Sequence, residues 1–388
     1  MGSVQSFETP KSRGGRPGKI DAPLNKKLSE VKWGEYRLGD LFEVNSYTKR
    51  FDANKVIVLE DGKYPYVVRM SNNNGQKGYI DEDEIYLNEG NTISFGQDTA
   101  TMFYQERPYF TGDKIKILKA KFREFDKSNA QFFLTTMAKS FESFSWGRSS
   151  FSVDIIEEQI ISLPVKGGTI DFDFISSFIA ELEAERIKEL EAHLTVTGLK
   201  DYILTEEEHS VLDSYEDWEW NTFNLEDLFG KSTRGKRLKS ADRIPGELPF
   251  VTAGEADEGI SDFIGNDVAI FSENTTTIDM FGSAKYRNYK YGGDDHVAVV
   301  HTETLHQLAS IFVTSAIHKS SHSGQFDYSK NFYAKDADAL NIQLPSRGGR
   351  PDYECMATFI SAVQKIVIKD VVLFADRKIG MAKEIVNK

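Results

Sequence analysis

The chain has 388 residues, 40% of them hydrophobic and 28% charged, which is the composition of a globular protein long enough for two or three domains. Its single cysteine excludes an intrachain disulfide and a cysteine-based zinc cluster. The net charge of −13 at pH 7 argues against a nucleic-acid partner only if it is spread evenly. Residues 171–217, however, hold 14 acidic and three basic residues. The acidity is concentrated in one segment, so nucleic-acid binding elsewhere is not excluded.

The first 32 residues are basic and contain several glycines and prolines. No apolar run in the chain approaches the length of about 20 residues that spans a bilayer, and we expect a cytoplasmic protein. SRGGRP at 12–17 recurs at 346–351. The segment is either a flexible arm that touches phosphates or a groove, or the remnant of a preceding repeat. We favour the remnant, with residues 24–31 packed near the end of a helical pair.

The first half of the chain returns in the second half. WGEYRLGDLF at 33–42 returns as WNTFNLEDLF at 220–229, YPYV at 64–67 as LPFV at 248–251, and LPVKGG at 163–168 as LPSRGG at 344–349. The order of these strings is the same in both halves. Such an order indicates a tandem duplication, and the fold should be sought in one repeat and then doubled.

Short β-like runs open each repeat, separated by clusters of Gly, Asn and Asp that are typical of turns. The predicted strands are 57–59, 66–68, 92–95 and 115–118 in the first repeat, and 250–252, 268–271 and 297–300 in the second. A short helical stretch follows in each, at 130–138 and 305–317.

A long amphipathic helix closes each repeat. Apolar residues spaced by three, four and seven form one stripe on each helix. The first stripe is Ile175, Phe178, Ile179, Leu182, Leu190 and Leu194, and the second is Met356, Phe359, Ile360, Val363, Ile366, Val367, Val371 and Phe374. Each helix is a rod of roughly 35–40 Å. We predict that the stripes are core and that the rods pack as an antiparallel pair.

A β-rich domain and a long helix, followed by the same again, resembles the specificity subunits of type I restriction–modification systems. It is similar in particular to the branch shared with bifunctional enzymes that cut on both sides of their site. The strings that carry this resemblance are YPYVVR at 64–69, NNNG at 72–75 and YFTGD at 109–113 in the first repeat, LKDYILT at 199–205 after the first helix, and PFVT at 249–252 and TIDMFG at 277–282 in the second repeat. The resemblance covers nearly all of the chain after residue 30.

The resemblance implies an α+β fold: two β-rich target-recognition domains separated by two long antiparallel helices that form a coiled-coil spacer, with pseudo-twofold symmetry between the repeats. The domains expected are a basic N-terminal segment at 1–32, a first target-recognition domain at 33–168, a spacer helix and linker at 169–217, a second target-recognition domain at 218–349, and a second spacer helix at 350–388.

The resemblance also implies a function. The chain would be non-catalytic and would recognise a bipartite, asymmetric target in double-stranded DNA, one half-site per repeat. It would dock methyltransferase subunits, which would bind the S-adenosylmethionine, and a restriction nuclease or translocase subunit is a further expected partner. No cofactor is expected in the chain itself.

Base reading uses Arg, Lys, Asn and Gln on loops, because these side chains hydrogen-bond to guanine and adenine edges. The candidates in the first repeat are Lys49, Arg50, Arg69, Asn72, Asn73, Asn74, Gln76, Lys77 and Arg148. Those in the second are Arg234, Lys236, Arg237, Lys239, Lys285, Arg287, Lys290, Tyr328 and Lys330.

Two other functions stay open at this point. Asp294, Asp295 and His296, together with Asp279, would form the oxygen and nitrogen ligands of a metal-dependent nuclease. The first repeat has GDK at 112–114 and lacks the second acid and the histidine, so we favour structural hydrogen bonding for these residues. The other function is a scaffold that binds a methyltransferase without reading DNA.

Overall fold

The computed structural model describes residues 22–142 and 151–386, and of residues 22–23 and 381–386 it describes the backbone alone. The chain divides into two compact units between Lys188 and Glu189. Residues 19–188 are called the N-terminal unit below, and residues 189–388 the C-terminal unit. Each described unit contains helices and antiparallel and parallel strand pairs, as the α+β prediction requires.

The N-terminal unit is built from five helices and ten strands in its described part. The helices are α1 (Ala22–Glu30), α2 (Leu38–Leu41), α3 (Lys127–Phe141), α4 (Val153–Glu157) and α5 (Phe172–Val196). The strands are β1 (Trp33–Arg37), β2 (Phe42–Ser46), β3 (Pro65–Val67), β4 (Gln76–Tyr79), β5 (Thr92–Gly96), β6 (Met102–Gln105), β7 (Phe110–Thr111), β8 (Ile115–Ala120), β9 (Ile160–Lys166) and β10 (Thr169–Ile170). Helix α5 continues past the boundary between the units.

The C-terminal unit repeats this plan. Its helices are α6 (Glu206–Asp213), α7 (Leu225–Phe229), α8 (Gln307–Ser321), α9 (Ala334–Asp338) and α10 (Tyr353–Val386). Its strands are β11 (Trp220–Asn224), β12 (Thr233–Arg234), β13 (Pro245–Val251), β14 (Ile260–Ile264), β15 (Ile270–Phe271), β16 (Thr275–Asp279), β17 (Ala284–Arg287), β18 (Tyr291–Gly293), β19 (Val297–Val300), β20 (Asn341–Arg347) and β21 (Arg350–Pro351).

Strand order is the same in both units. The sheets β1-β9-β10, β2-β8-β5-β6 and β4-β3-β7 correspond to β11-β20-β21, β12-β19-β16-β17 and β14-β13-β18, the last with β15 added. The register also repeats, since Trp33 pairs with Pro164 and Trp220 with Pro345. The tandem duplication predicted from the sequence is therefore confirmed at the level of single strand pairs.

The two Gly-Gly strings close two-residue hairpins. Gly167 and Gly168 connect β9 to β10 with φ of 62° and 90°, and the equivalent glycines 348 and 349 connect β20 to β21. Both positions lie in the left-handed region that the favoured hairpin turns require. The hairpin sets the direction in which the following long helix leaves the sheet.

A four-stranded sheet and a helix enclose the main core of each unit. In the N-terminal unit this core is rich in phenylalanine, with Phe42, Phe125 and Phe133 fully buried in edge-to-face contact. Helix α1 packs on α5, because Leu24 is buried with Ile175 and Phe178. In the C-terminal unit α6 precedes β11 as α1 precedes β1, and it packs on α10.

The end of α5 contacts α10 within the C-terminal unit. Leu194 is buried against Val372 and Ala375. The predicted stripe of α10 is only partly correct: Met356 is buried, but Ile366, Val367, Val371 and Phe374 are exposed. The buried positions in this half of the helix include Ala362 and Ala375, because close helix approach selects small side chains that a hydrophobic pattern does not mark. The coiled-coil spacer stays a prediction.

One predicted strand is wrong. Residues 57–59 form a loop in which Ile57 is exposed and Leu59 makes a single bridge to Tyr79. Three apolar residues in a row predicted a strand, but no neighbouring strand supplies a ladder for them. The other predicted strands overlap β3, β5, β8, β13, β15 and β19.

Candidate nucleic-acid interface

Loops at one edge of the N-terminal unit bring charged residues together. The carboxylate of Asp98, after β5, forms ion pairs with Arg69 and with Lys114, whose Nζ lies 2.8 Å away. Beside them Arg50 and Asp113 form an ion pair of 3.3 Å. We call these five residues the N-terminal rim. Three cations face two carboxylates, which leaves positive charge available for phosphate.

A loop rich in asparagine lies beside edge strand β6. Asn73 and Asn74 have left-handed φ of 47° and 53°, and Asn72, Asn73 and Asn74 are exposed. The amide of Asn74 donates to the Tyr104 carbonyl at 3.2 Å, and that of Asn73 to the Gln76 carbonyl at 2.7 Å. Residues 72–75 are called the N-terminal edge loop. The amide groups of Asn73 and Asn74 thus hold the turn and its contact with β6, while both residues stay exposed.

The remaining candidates of the first repeat lie elsewhere. The ammonium of Lys49 stands 3.9 Å from the centre of the Tyr86 ring and 4.8 Å from that of Phe51. Gln76 and Lys77 belong to β4, where Gln76 is half-buried and Lys77 exposed. The prediction for Arg148 falls outside the described residues.

A basic segment follows β12 in the C-terminal unit. Its members are exposed and, within the described residues, none of them forms an ion pair with a carboxylate; they are Arg234, Lys236, Arg237 and Lys239. The backbone of Gly235 lies against Gly293, where an added Cβ would come within 1.6 Å of the carbonyl oxygen. The Leu238 amide donates to Asp294 at 3.3 Å. The segment is therefore held by its backbone, and its cationic side chains are left to solvent.

The loops around the β16–β17 turn carry further candidates. Lys285 bonds the Ser283 hydroxyl at 2.9 Å and pairs with Glu255 at 3.3 Å. The Ser283 hydroxyl and, after it, the charge of Lys285 lower the pKa of Glu255 against the opposing effect of burial, so this carboxylate is charged at neutral pH. Tyr328 is 85% exposed and packs edge-on against Phe281.

Two further lysines were candidates in the second repeat. Lys330 lies 5.5 Å from the centre of the Phe326 ring. Lys290 is exposed in the turn between β17 and β18, at the opposite end of β17 from Ser283.

Arg287 is a core residue, contrary to the sequence prediction. It is 1% exposed, and each of its three guanidinium nitrogens donates to a neighbour inside the unit. Lysine, arginine and tyrosine interleave at 285–291, and this pattern predicted that Arg287 contacts DNA. However, β17 turns Arg287 inward while Lys285 stays half-buried.

The candidate nuclease residues do not form one group. The donor atoms of Asp294, Asp295 and His296 lie within 4.8 Å of one another, but Asp279 is not among them. The carboxylate of Asp279 accepts amide hydrogen bonds from Phe281 and Ser283 at 2.9 and 3.0 Å, and from Gly254 at 3.3 Å. These bonds give Asp279 the structural role that we favoured.

Sequence reasoning missed Lys114 and the acidic members of the interface. Asp98 and Lys114 organise the N-terminal rim, and Asp257 and Glu258 occupy the loop that corresponds to Asn73 and Asn74. Carboxylates were not among the candidates, because cationic and amide side chains were expected to read the bases. Aligning the two repeats through Gly75 and Gly259, each followed by a strand, would have found the second loop.

The C-terminal edge loop matches the first closely. Asp257 and Glu258 have φ of 49° and 55° and are exposed, and Gly259 is buried with φ of 80°. In the first repeat the exposed pair is Asn73 and Asn74, followed by buried Gly75 with φ of 72°. We call residues 256–259 the C-terminal edge loop. One backbone thus presents amides in the first unit and carboxylates in the second.

Comparison with known proteins identifies the family. The family model for the type I restriction modification DNA specificity domain matches twice, at residues 30–192 and 216–366, and the chain therefore belongs to this family. The two matches follow the two repeats. Membership confirms the resemblance and places the chain among specificity subunits.

The chain is also similar to individual proteins. The chain is 26% identical over 344 residues to the "Type II restriction enzyme BgcI specificity subunit S.BcgI" of Heyndrickxia coagulans, covering 87% of this chain and 96% of that protein. The type I restriction–modification S subunit from M. genitalium superimposes with a TM-score of 0.56 at 15% identity, covering 92% of this chain and 94% of that one. The HsdS subunit from Thermoanaerobacter tengcongensis is 14% identical with a TM-score of 0.27, covering 89% and 91%.

Among the helices of the described residues, none is long and apolar enough to cross a membrane.

Proposed function

We propose that this chain is the DNA-reading subunit of a restriction–modification complex and that it recognises a bipartite target, one half-site per repeat. The observation that carries the proposal is the repetition of one loop framework with different side chains. The last three residues of both edge loops have similar positive φ, yet one loop displays asparagines and the other carboxylates. Amides pair with adenine edges, whereas carboxylates accept from the cytosine amino group. We therefore expect the two half-sites to differ in base sequence.

Phosphate contacts supply most of the affinity in such a complex. The exposed cations of the basic segment, which form no ion pair within the described residues, suit this role in the C-terminal unit. In the N-terminal unit the rim offers Arg50, Arg69 and Lys114, each already paired with a carboxylate. A cation that already pairs with a carboxylate gives up that partner when it binds a phosphate, so its net contribution to DNA affinity is smaller. We therefore expect the C-terminal half to contribute the larger share of the salt dependence.

The chemistry lies in other subunits. Methyltransferase subunits bind S-adenosylmethionine and modify the target, a nuclease or translocase subunit joins them where restriction is carried out, and this chain is non-catalytic and cytoplasmic. The described structure supports the absence of a nuclease centre, because Asp279 is committed to backbone amides and stands outside the group of Asp294, Asp295 and His296.

The helices set the distance between the half-sites. Helix α5 has 25 residues and α10 has 34. At 1.5 Å per residue these are rods of about 37 and about 51 Å. In the arrangement that we propose they form an antiparallel spacer and relate the two reading domains by a pseudo-twofold axis.

The test is the methylated motif of DNA from cells that express this chain with the methyltransferase that it serves. We expect a bipartite motif with two different halves. Exchanging residues 218–345 for those of another family member should change one half and leave the other intact.

Three results would contradict the proposal. Cleavage of DNA by the purified chain with a divalent metal would favour the nuclease. A tight complex with the methyltransferase but no motif would favour the scaffold. A change in both halves after the domain exchange would show that the repeats do not read independently.

A further inference from the structure

Gln105, at the end of β6, joins the edge strand to the N-terminal edge loop. The side chain is 4% exposed, and its amide nitrogen donates to the Ser94 hydroxyl at 3.0 Å and to the carbonyl of Asn74 at 3.1 Å. Asn74 returns a bond through its own amide to the Tyr104 carbonyl. Strand β6 and the N-terminal edge loop are thus held together by hydrogen bonds in both directions.

Arg287, at the end of β17, makes the corresponding contacts in the second unit. Its Nε donates to the Thr277 hydroxyl at 3.0 Å and its Nη2 to the carbonyl of Glu258 at 2.8 Å. Its Nη1 donates to the hydroxyl of Tyr289 at 2.8 Å. The remaining donors are therefore also directed to partners inside the unit.

The two side chains occupy equivalent positions. Gln105 pairs with Thr92 across the sheet, and Arg287 pairs with Thr275. Each threonine hydroxyl lies within 3.1 Å of a buried tyrosine hydroxyl, that of Tyr109 or Tyr291. The sequence alignment does not suggest the match, because glutamine and arginine differ in shape and charge. Strand register reveals it.

The carbonyl that each side chain holds belongs to a residue in a strained backbone conformation. Asn74 has φ of 53° and Glu258 has φ of 55°. Residues with a Cβ rarely adopt this region, since the side chain crowds the following carbonyl. The next residue is a glycine whose own carbonyl accepts a 2.8 Å bond from the strand before the loop, from Val68 or from Thr252. Both carbonyls of the turn are thus fixed.

The charge of each buried side chain is complementary to that of the edge loop whose carbonyl it binds. Neutral Gln105 lies under a loop of asparagines, and cationic Arg287 lies under Asp257 and Glu258. No carboxylate within the described residues forms an ion pair with Arg287, and burying an unpaired cation is costly. Since an uncharged glutamine makes the equivalent bonds in the first unit, holding the loop does not by itself require the charge. The same charge would offset that of the exposed carboxylates of Asp257 and Glu258.

We infer that Gln105 and Arg287 are positioning residues for base reading. Each fixes the edge loop of its own unit in the left-handed turn, so that the exposed side chains of residues 72–74 or 256–258 meet the bases of one half-site with a defined geometry. This inference rests on the proposed reading of one half-site by each unit. It assigns specificity to two side chains that do not themselves contact DNA.

The first test uses the full chain assembled with its methyltransferase subunits and measures methylation of a duplex library. Gln105→Met and Arg287→Met keep roughly the side-chain volume and remove the donors. We expect Gln105→Met to lower discrimination among bases about tenfold in one half of the motif only, and Arg287→Met to do so in the other half only. The unaffected half is the internal control for folding and assembly.

The possible results distinguish a failure of the positioning role from a failure of the proposed function. Unchanged discrimination in both halves of both variants would overturn the positioning role. A native complex without any bipartite motif would instead overturn the proposed function.

A second pair of variants covers the case in which a methionine variant fails to fold. Gly75→Ala and Gly259→Ala leave the exposed side chains of both edge loops, Gln105 and Arg287 in place, but a residue with a Cβ disfavours the positive φ of these positions. We expect the same loss in one half as for the corresponding methionine variant. Native discrimination in both halves would show that loop geometry does not determine specificity.

Charge matching has its own test. Arg287→Gln places the residue of the first repeat in the second and should broaden the second half of the motif. Adding Asp257→Asn and Glu258→Asn restores a neutral loop over a neutral side chain, and this triple variant should again have a narrow second half, with altered base preference. If the triple variant is as broad as Arg287→Gln, charge matching is wrong.

Discussion

At the scale of single residues, the exposed cations of the basic segment and the buried Arg287 show how little residue type says about role. Both were predicted to contact DNA, and Arg287 proved to be 1% exposed. The four cations of the basic segment are exposed, and the backbone between them contacts Gly293 at Gly235. An arginine or lysine can contact phosphate only where its side chain is exposed, and residue type alone does not show this.

Removing one of these cations should weaken DNA binding in a salt-dependent way. For Arg237→Gln and Lys239→Gln we expect affinity to fall and the slope of log K against log salt to decrease by about one per variant, because each phosphate contact releases about one counterion. Fluorescence anisotropy with labelled duplex at several salt concentrations measures this slope. The exposed lysine in Lys369→Gln is the matched control, and an equal change there would mean that net charge alone is acting.

A buried carboxylate makes the packing of α6 on α10 depend on pH. Burial alone would raise the pKa of Glu208, but hydrogen bonds from Ser361, the Thr205 amide and Lys365 outweigh it and lower the pKa. A lowered folded pKa means stability that is complete above the unfolded value of about 4.3 and is lost as pH falls toward the folded value. We expect the melting temperature of Glu208→Gln to fall less than that of the native chain as the pH is lowered from about 5 to about 2.

The control for this pair is Lys365→Met, which leaves Glu208 buried without its cation. It should destabilise the protein by about 3 kcal/mol at pH 7 in urea denaturation. Acid melting curves of Glu208→Gln that run parallel to those of the native chain would contradict the assignment.

At the scale of elements, the long helices and the doubling of the fold were predictable, because periodicity and repetition are local properties of the chain. The edge strands β6 and β17 were not predicted. Their sequences, MFYQ and AKYR, alternate poorly, and their strand conformation comes from pairing with β5 and β16. The prediction that the apolar stripe of α10 is buried fails for the same reason. A hydrophobic pattern marks one face of a helix, but the packing partners decide which face is buried.

The contact between Gly235 and Gly293 should be intolerant of a side chain. In Gly235→Ala the added Cβ would meet backbone within 1.6 Å, which a rotamer change cannot relieve. We expect a destabilisation of about 2 kcal/mol and a loss of affinity confined to the half-site of the C-terminal unit. Gly380→Ala is the control with the opposite sign, since this helical glycine has open space around it and alanine favours helix. A melting temperature of Gly235→Ala equal to the native value would refute the contact.

For the whole molecule, what the sequence could not predict is that the two edge loops are equivalent. The order and identity of the repeats follow from the strings at 33–42 and 220–229, but the edge loops share only their final glycine: NNNG in one repeat corresponds to ADEG in the other. Their equivalence lies in φ values and in the carbonyls held by Gln105 and Arg287. If the edge loops read DNA as we propose, their side chains must differ between the repeats while the backbone that presents them is retained.

Lengthening the spacer should therefore change the gap of the motif and leave its halves intact. Seven extra helical residues after Glu185, in an exposed stretch of α5, nearly preserve the helix face and add about 10 Å. If the helices fix the distance between half-sites, the gap should grow by about three base pairs at 3.4 Å each, with both half-sites unchanged in the methylated motif. Replacing Glu183 and Ala184 without an insertion is the length-neutral control and should keep the native gap. A native gap in the lengthened chain would show that the distance is set by contacts outside the helices.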